Sequence, residues 1–134
     1  MSVFTPAEIA YLQRQGLARI ATVGRNGQPH VVPVAFRYNA EHDSIDIGGM
    51  RGFARTKKVR DAQANPLVAV IVDEWQGPGR SPAIEIRGEA EVLHSNGERI
   101  HKGFDSVMIR IRPRRIISWG IEEARFARNA SSIS

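Results

Sequence analysis

The 134-residue chain contains no cysteine, which removes disulfides, thiolate nucleophiles and cysteine-ligated zinc or iron–sulfur centres in one step. Any redox chemistry must be borrowed from a bound cofactor. Long apolar runs are missing too. None approaches the roughly 20 residues needed to cross a bilayer, and Met1 to Gly16 carries neither a basic leader nor a long apolar stretch. The expectation is a chain that neither spans a membrane nor is exported, and so works in the cytoplasm. Aromatics make up only 7% of the residues, leaving little from which to build a base-stacking surface. Lysine is scarce: of 19 cations, 16 are arginine and the other three are Lys57, Lys58 and Lys102. Arginine's planar fork suits phosphate and carboxylate, but an arginine-rich surface can equally mirror genome base composition. Only clusters carry weight.

What is present is ordinary for one folded unit. Hydrophobic residues are 42%, charged residues 25%, and the net charge is +5, which implies a single basic globular domain over 1–134. Thr5-Pro6-Ala7-Glu8 has the form of a capping box opening a short helix that Gly16 stops, with Ile9 and Leu12 as its apolar edge. Leu17 to Val23 and Pro29 to Tyr38 are β-rich runs around an Asn26-Gly27 turn, a hairpin signature. Ser44 to Ile47 gives a third strand ended by Gly48-Gly49. Phe53 to Ala64 changes to a helical pattern stopped by Asn65-Pro66. Leu67 to Val72 is continuously apolar, as in a strand covered on both faces. Ala83 to Leu93 alternates, with Gly88 marking a bend or bulge, and Val107 to Trp119 supplies a sixth strand. The tail Phe126 to Ser134 reads as frayed. The sum is a mainly β fold, a six-stranded antiparallel barrel with two short helices, closed so that no strand edge is left open.

The most informative segment runs from Gly48 to Arg60. Five cations and no acid lie within Arg51 to Arg60, where a glycine-rich strand exit turns into a helix. Free main-chain N–H groups and the positive helix end meet there, which makes a phosphate seat. The flanking glycines are expected to let a ligand approach the backbone closely. The competing reading is a solvated helix face on which Lys57 pairs with Asp61. A second cluster, Arg110, Arg112 and Arg114, alternates along the last strand with Arg115 turned the other way. It could hold an anionic tail, line a subunit contact, or simply face water. Nucleic acid is the rival ligand for both clusters, but only Phe36 and Tyr38 have the spacing of a stacking platform, and they are as well placed for the core. No histidine spacing suits a metal, and adjacent pairs such as Glu122-Glu123 do not converge on one substrate.

Taken in order, Leu17 to Val23 with Gly27 to Val34, Thr56 to Arg60 running to Asn65-Pro66, Ile86 to Ala90 and Ser118-Trp119-Gly120 resemble the split β-barrel flavin and deazaflavin proteins related to pyridoxamine 5'-phosphate oxidase. Within that family the chain is most similar to the branch using coenzyme F420. The resemblance implies a homodimer with the cofactor in a groove between subunits, Val32, Pro33 and Val34 against the ring system, and Arg55, Thr56, Lys57 and Lys58 on the phosphate. Gly49 and Arg51 complete the expected set. It further implies hydride transfer between the deazaflavin and a small organic acceptor, with no metal and no catalytic side chain. FMN is the alternative cofactor, and a carrier that binds without turnover is the alternative function. No counterpart of the oxidase's substrate-binding C-terminal segment is found, so pyridoxamine oxidation is not carried over, and neither a nucleic acid nor a membrane is expected as a partner.

Overall fold

The computed structural model describes residues 1–130. Helix α1 (Pro6–Arg14) begins as expected: the Thr5 hydroxyl accepts from the N–H of Glu8, and the Glu8 carboxylate accepts from the N–H of Thr5. Strands β1 (Leu17–Val23) and β2 (Pro29–Asn39) form the hairpin, with Gly27 at φ +78° in its turn. β3 (Ser44–Gly48) follows antiparallel to β2. The second helix is shorter than its sequence pattern: a single 3-10 turn over Phe53–Arg55 comes first, and α2 covers Lys57–Ala64 with Thr56 as its N-cap. β4 (Leu67–Asp73), β5 (Ala83–Leu93) and β6 (Met108–Trp119) complete the antiparallel series.

The sheet order is β3-β2-β1-β4-β5-β6, and β3 also pairs with β6, which closes a six-stranded barrel. Alternate residues of every strand fill it, among them Ile20, Ile45, Ile47, Val70, Ile84, Ile86, Ile109, Ile111 and Ile116. Phe36 and Tyr38 belong to this core, so the pair that could have stacked nucleic-acid bases is turned inward. Gly88 sits at a register shift between β5 and β6. A side chain there would run into the carbonyl of Arg112, so the bulge needs the close approach that only glycine permits.

Two expectations are corrected. Phe126–Asn129 is not frayed: it forms a seventh strand, β7, antiparallel to the end of β6, and Ala130 is buried with its N–H on the Arg114 carbonyl. The tie is polar. Arg128 binds the Glu8 carboxylate and the Val3 carbonyl, and Arg115 binds Asn129 at 2.8 Å, so no apolar periodicity betrays the strand. Residues 131–134, the rest of that tail, lie outside the described residues. β4 is central in the sheet as its apolar run suggests, but only alternate residues are buried, and Leu67 is 55% exposed. Its outer face is exposed at Leu67 and Asp73 and half-buried at Ala69 and Ile71.

Candidate functional site

The end of β3, the 3-10 turn and the start of α2 meet β2 around a cavity of about 420 Å³, a size suited to a small ligand. Pro33, Val34 and Ala35 of β2 form one wall, and Phe104, from the β5–β6 connection, lies on another. Gly49, Arg51, Thr56 and Lys58 line it as well, so six of the nine residues singled out from sequence converge here. Arg55 lines an adjoining polar groove of about 520 Å³ that shares Arg51, Gly52 and Phe104 with the first.

The remaining two go elsewhere. Val32, next along β2 from Pro33, has the opposite orientation and packs against the core. Lys57 turns to the far side of α2, where its Nζ lies 3.0 Å from the Asp61 carboxylate. That is the i,i+4 pairing weighed for it at the outset. It lines a third cavity with Arg25 and Arg60.

Lys58 differs from its neighbour in having no counter-charge among the described residues. Its ammonium stands 5.3 Å from the centre of the Phe53 ring, a cation–π arrangement, and burial alone pushes its pKa below the ordinary lysine value. This half-buried cation sits where α2 begins. The first turn of α2 carries no acidic residue, and it has no side-chain cap because the Thr56 hydroxyl donates to the Phe53 carbonyl at 2.7 Å instead. Free N–H groups, the helix dipole and a desolvated ammonium therefore point at the same space.

The glycines serve a different purpose from the one expected. A side chain on Gly48 would meet Ile100 and Phe104, and one on Gly49 would meet the Phe53 ring. Both positions are kept bare by the chain's own packing. Gly52, at φ +95°, is the one whose backbone conformation turns the loop.

The second arginine cluster is neutralised within the chain. Arg110 is buried and binds Asp46 through Nε and a terminal nitrogen, both at 3.1 Å. Arg112 pairs with Glu91 and Arg114 with Glu89 across the β5–β6 ladder. An anion-binding stripe is therefore not formed. The bulge adds a further departure, since Arg114 is the extra residue of β6 between partners Gly88 and Arg87.

Three buried acids share one pH behaviour. Burial pushes Asp46 up, but Arg110, Asn39 and Ser44 outweigh it and hold its pKa below the ordinary range. The same balance lowers Glu8 through Arg128 and the Thr5 N–H, and Asp61 through Lys57 and Thr22. An acid whose folded pKa is depressed binds its proton more readily when unfolded. Its contribution is complete at neutral pH and falls away from about pH 5 downward. Denaturant midpoints should accordingly be flat near pH 7 and decline steeply between about pH 5 and pH 3; an unchanged midpoint at pH 3 would contradict the assignment.

With this geometry in place, the chain can be set beside known proteins. The sequence profile of the pyridoxamine 5'-phosphate oxidase family matches residues 4–128. The chain belongs to that family. A 5a,11a-dehydrotetracycline/5a,11a-dehydrooxytetracycline reductase of Streptomyces rimosus is 44% identical over 123 residues, covering 89% of this chain and 84% of the relative. Among solved structures, a conserved hypothetical protein of Mycobacterium tuberculosis superposes with a TM-score of 0.70 at 18% identity, covering 90% of this chain and 88% of that one. An FAD binding protein of Mycobacterium smegmatis reaches 0.65 at 19% identity, covering 96% and 100%. The two structures share the fold of this oxidase-family chain; the reductase at 44% identity supports its place in an oxidoreductase branch.

Proposed function

We propose that this family member is a cytoplasmic reductase that uses coenzyme F420 and delivers hydride to a small, conjugated organic acceptor. The observation that carries the reading is Lys58, a half-buried ammonium with no carboxylate partner among the described residues, beside the uncapped start of α2. The residues present fit a phosphorylated deazaflavin. Lys58, Thr56 and the α2 N–H groups would hold its phosphodiester, Arg51 and Arg55 stand beside it in the polar groove, and Pro33 to Ala35 give a flat main-chain wall for the ring. When bound in reduced form, the coenzyme supplies the hydride. The chain's own contribution is to orient, exclude water and balance charge, which requires no nucleophile and no metal. The reductase relative supports an acceptor of the polycyclic enone class.

A second copy of the chain is part of the proposal. Leu17, Val31 and Leu67 are exposed on the outer face of β1, β2 and β4, at 53%, 66% and 55%. Ala21, Val23 and Ala69 lie beside them around an apolar groove. This largely apolar face, crossed by the Arg19–Asp73 ion pair and edged by Arg87 and Arg114, fits a homodimer, and it adjoins Pro33 at the cavity. Titration of the purified protein with FMN and with oxidised F420, followed by assay of reduced F420 with 5a,11a-dehydrotetracycline, tests the reading. Tighter binding of the deazaflavin and consumption of the substrate are expected. Preference for FMN moves the protein to flavin chemistry, binding without turnover makes it a carrier, and failure to bind either cofactor overturns the reading.

A further inference from the structure

Asp105 lines the polar groove together with Arg51 and Arg55, and belongs to neither the apolar wall nor the cationic set. Its main-chain N–H donates to the Gly49 carbonyl at 2.8 Å. Its Oδ2 accepts from the Gly52 N–H at 3.3 Å and its Oδ1 from the Val107 N–H at 3.2 Å. The N–H groups of Val107, Ala54, Gly52 and Ser106 together hold its carboxyl below the usual range. On its other flank the Gly97 N–H donates to the Ser106 carbonyl at 2.8 Å, and the chains pass so closely that a side chain on Gly97 would strike the Asp105 carbonyl.

Arg51 and Arg55 line the same groove as Asp105. A carboxylate beside two guanidiniums would normally pair with them and cancel their charge. Among the described residues Asp105 forms no such pair, because main-chain N–H groups occupy its oxygens. The arginines are left available, and the loop that carries them is pinned.

We propose that Asp105 is a positioning residue for the anion seat: its carboxylate fixes the Gly49–Ala54 turn so that Arg51 and Arg55 face a cofactor phosphate, and it ties the Phe104 wall to that turn. The proposal rests on the phosphate-seat reading above and names the residue on which its geometry depends. The sign of the effect separates it from simple electrostatics. Deleting a negative charge near a phosphate would by itself tighten binding, so a loss of affinity reports the lost scaffold.

Asp105→Ala, Asp105→Asn and Lys58→Ala should each be titrated with FMN and riboflavin, and with F420 and its phosphate-free chromophore. Asp105→Ala is expected to lose about tenfold in affinity for the phosphate-bearing member of each pair while the phosphate-free member is unaffected. Asp105→Asn, with one acceptor oxygen left, should retain part of the affinity. The ratio within a pair is blind to a general loss of stability, since a partly unfolded sample binds both members less. Amide exchange at Gly52 and Ala54 should quicken in Asp105→Ala. A wild-type ratio in that variant, or an equal loss for both members, overturns the positioning role. If Lys58→Ala weakens phosphate binding and Asp105→Ala does not, only this role falls; if the wild-type chain binds neither phosphorylated compound, the seat itself falls with it.

Discussion

Arg110→Ala is expected to cost the fold about 3–5 kcal/mol, the range for removing one partner of a buried ion pair. Asp46 is only 2% exposed and Arg110 8%, so alanine would leave a carboxylate in the barrel wall with Asn39 and Ser44 as its remaining partners. The pair lies directly opposite in the β3–β6 register that closes the barrel, so the damage falls on the seam. Chemical denaturation at neutral pH measures it. The double variant Asp46→Leu with Arg110→Met should recover much of the loss, because an apolar pair of similar volume leaves no charge uncompensated. A single variant within about 0.5 kcal/mol of wild type, the range of an ordinary surface substitution, would contradict the burial of this pair.

Lys58→Ala is expected to weaken binding of F420, or of FMN, by roughly 1–3 kcal/mol through loss of a charge-assisted phosphate contact. That is about five- to 150-fold in dissociation constant at matched salt. Stability should change in the opposite sense or not at all, since burial already disfavours the charged lysine. Lys57→Ala supplies the contrast. Its ammonium neutralises buried Asp61 on the far side of α2, so its loss should lower stability and leave cofactor affinity nearly unchanged. Isothermal titration and denaturation of the two variants decide between adjacent lysines that the family resemblance places on the same phosphate.

The parts of the fold that were legible were those written in local chemistry. The Thr5–Glu8 capping box, the Asn26-Gly27 hairpin and the alternation of Ala83 to Leu93 each depend on residues a few positions apart, and each stands where its pattern put it. Gly88 marked the bulge for the same reason. The cationic turn was legible as a cluster, and it does open into a cavity beside Pro33 and Val34. Strand β7 was not legible, because what holds it is Arg128 reaching Glu8 across 120 positions and not a periodic apolar face.

The order of residues was enough to establish a β-rich barrel without thiol or metal-thiolate chemistry, a cationic turn before the second helix, and the places of the tight turns. Those properties follow from composition and near-neighbour sterics. Tertiary structure alone decided which cations are free. Sixteen arginines look alike in a string, but Arg110, Arg112, Arg114 and Arg128 meet carboxylates brought from distant strands and a helix, and Lys57 meets Asp61. Among the described residues Lys58 meets none, because helical geometry rotates consecutive residues by about 100° and sends one ammonium to an acid and the next to the cavity wall. Local spacing can show an i,i+4 pair such as Lys57–Asp61, but the carboxylates that neutralise Arg110, Arg112, Arg114 and Arg128 arrive from segments far away in the chain, and only folding brings them there.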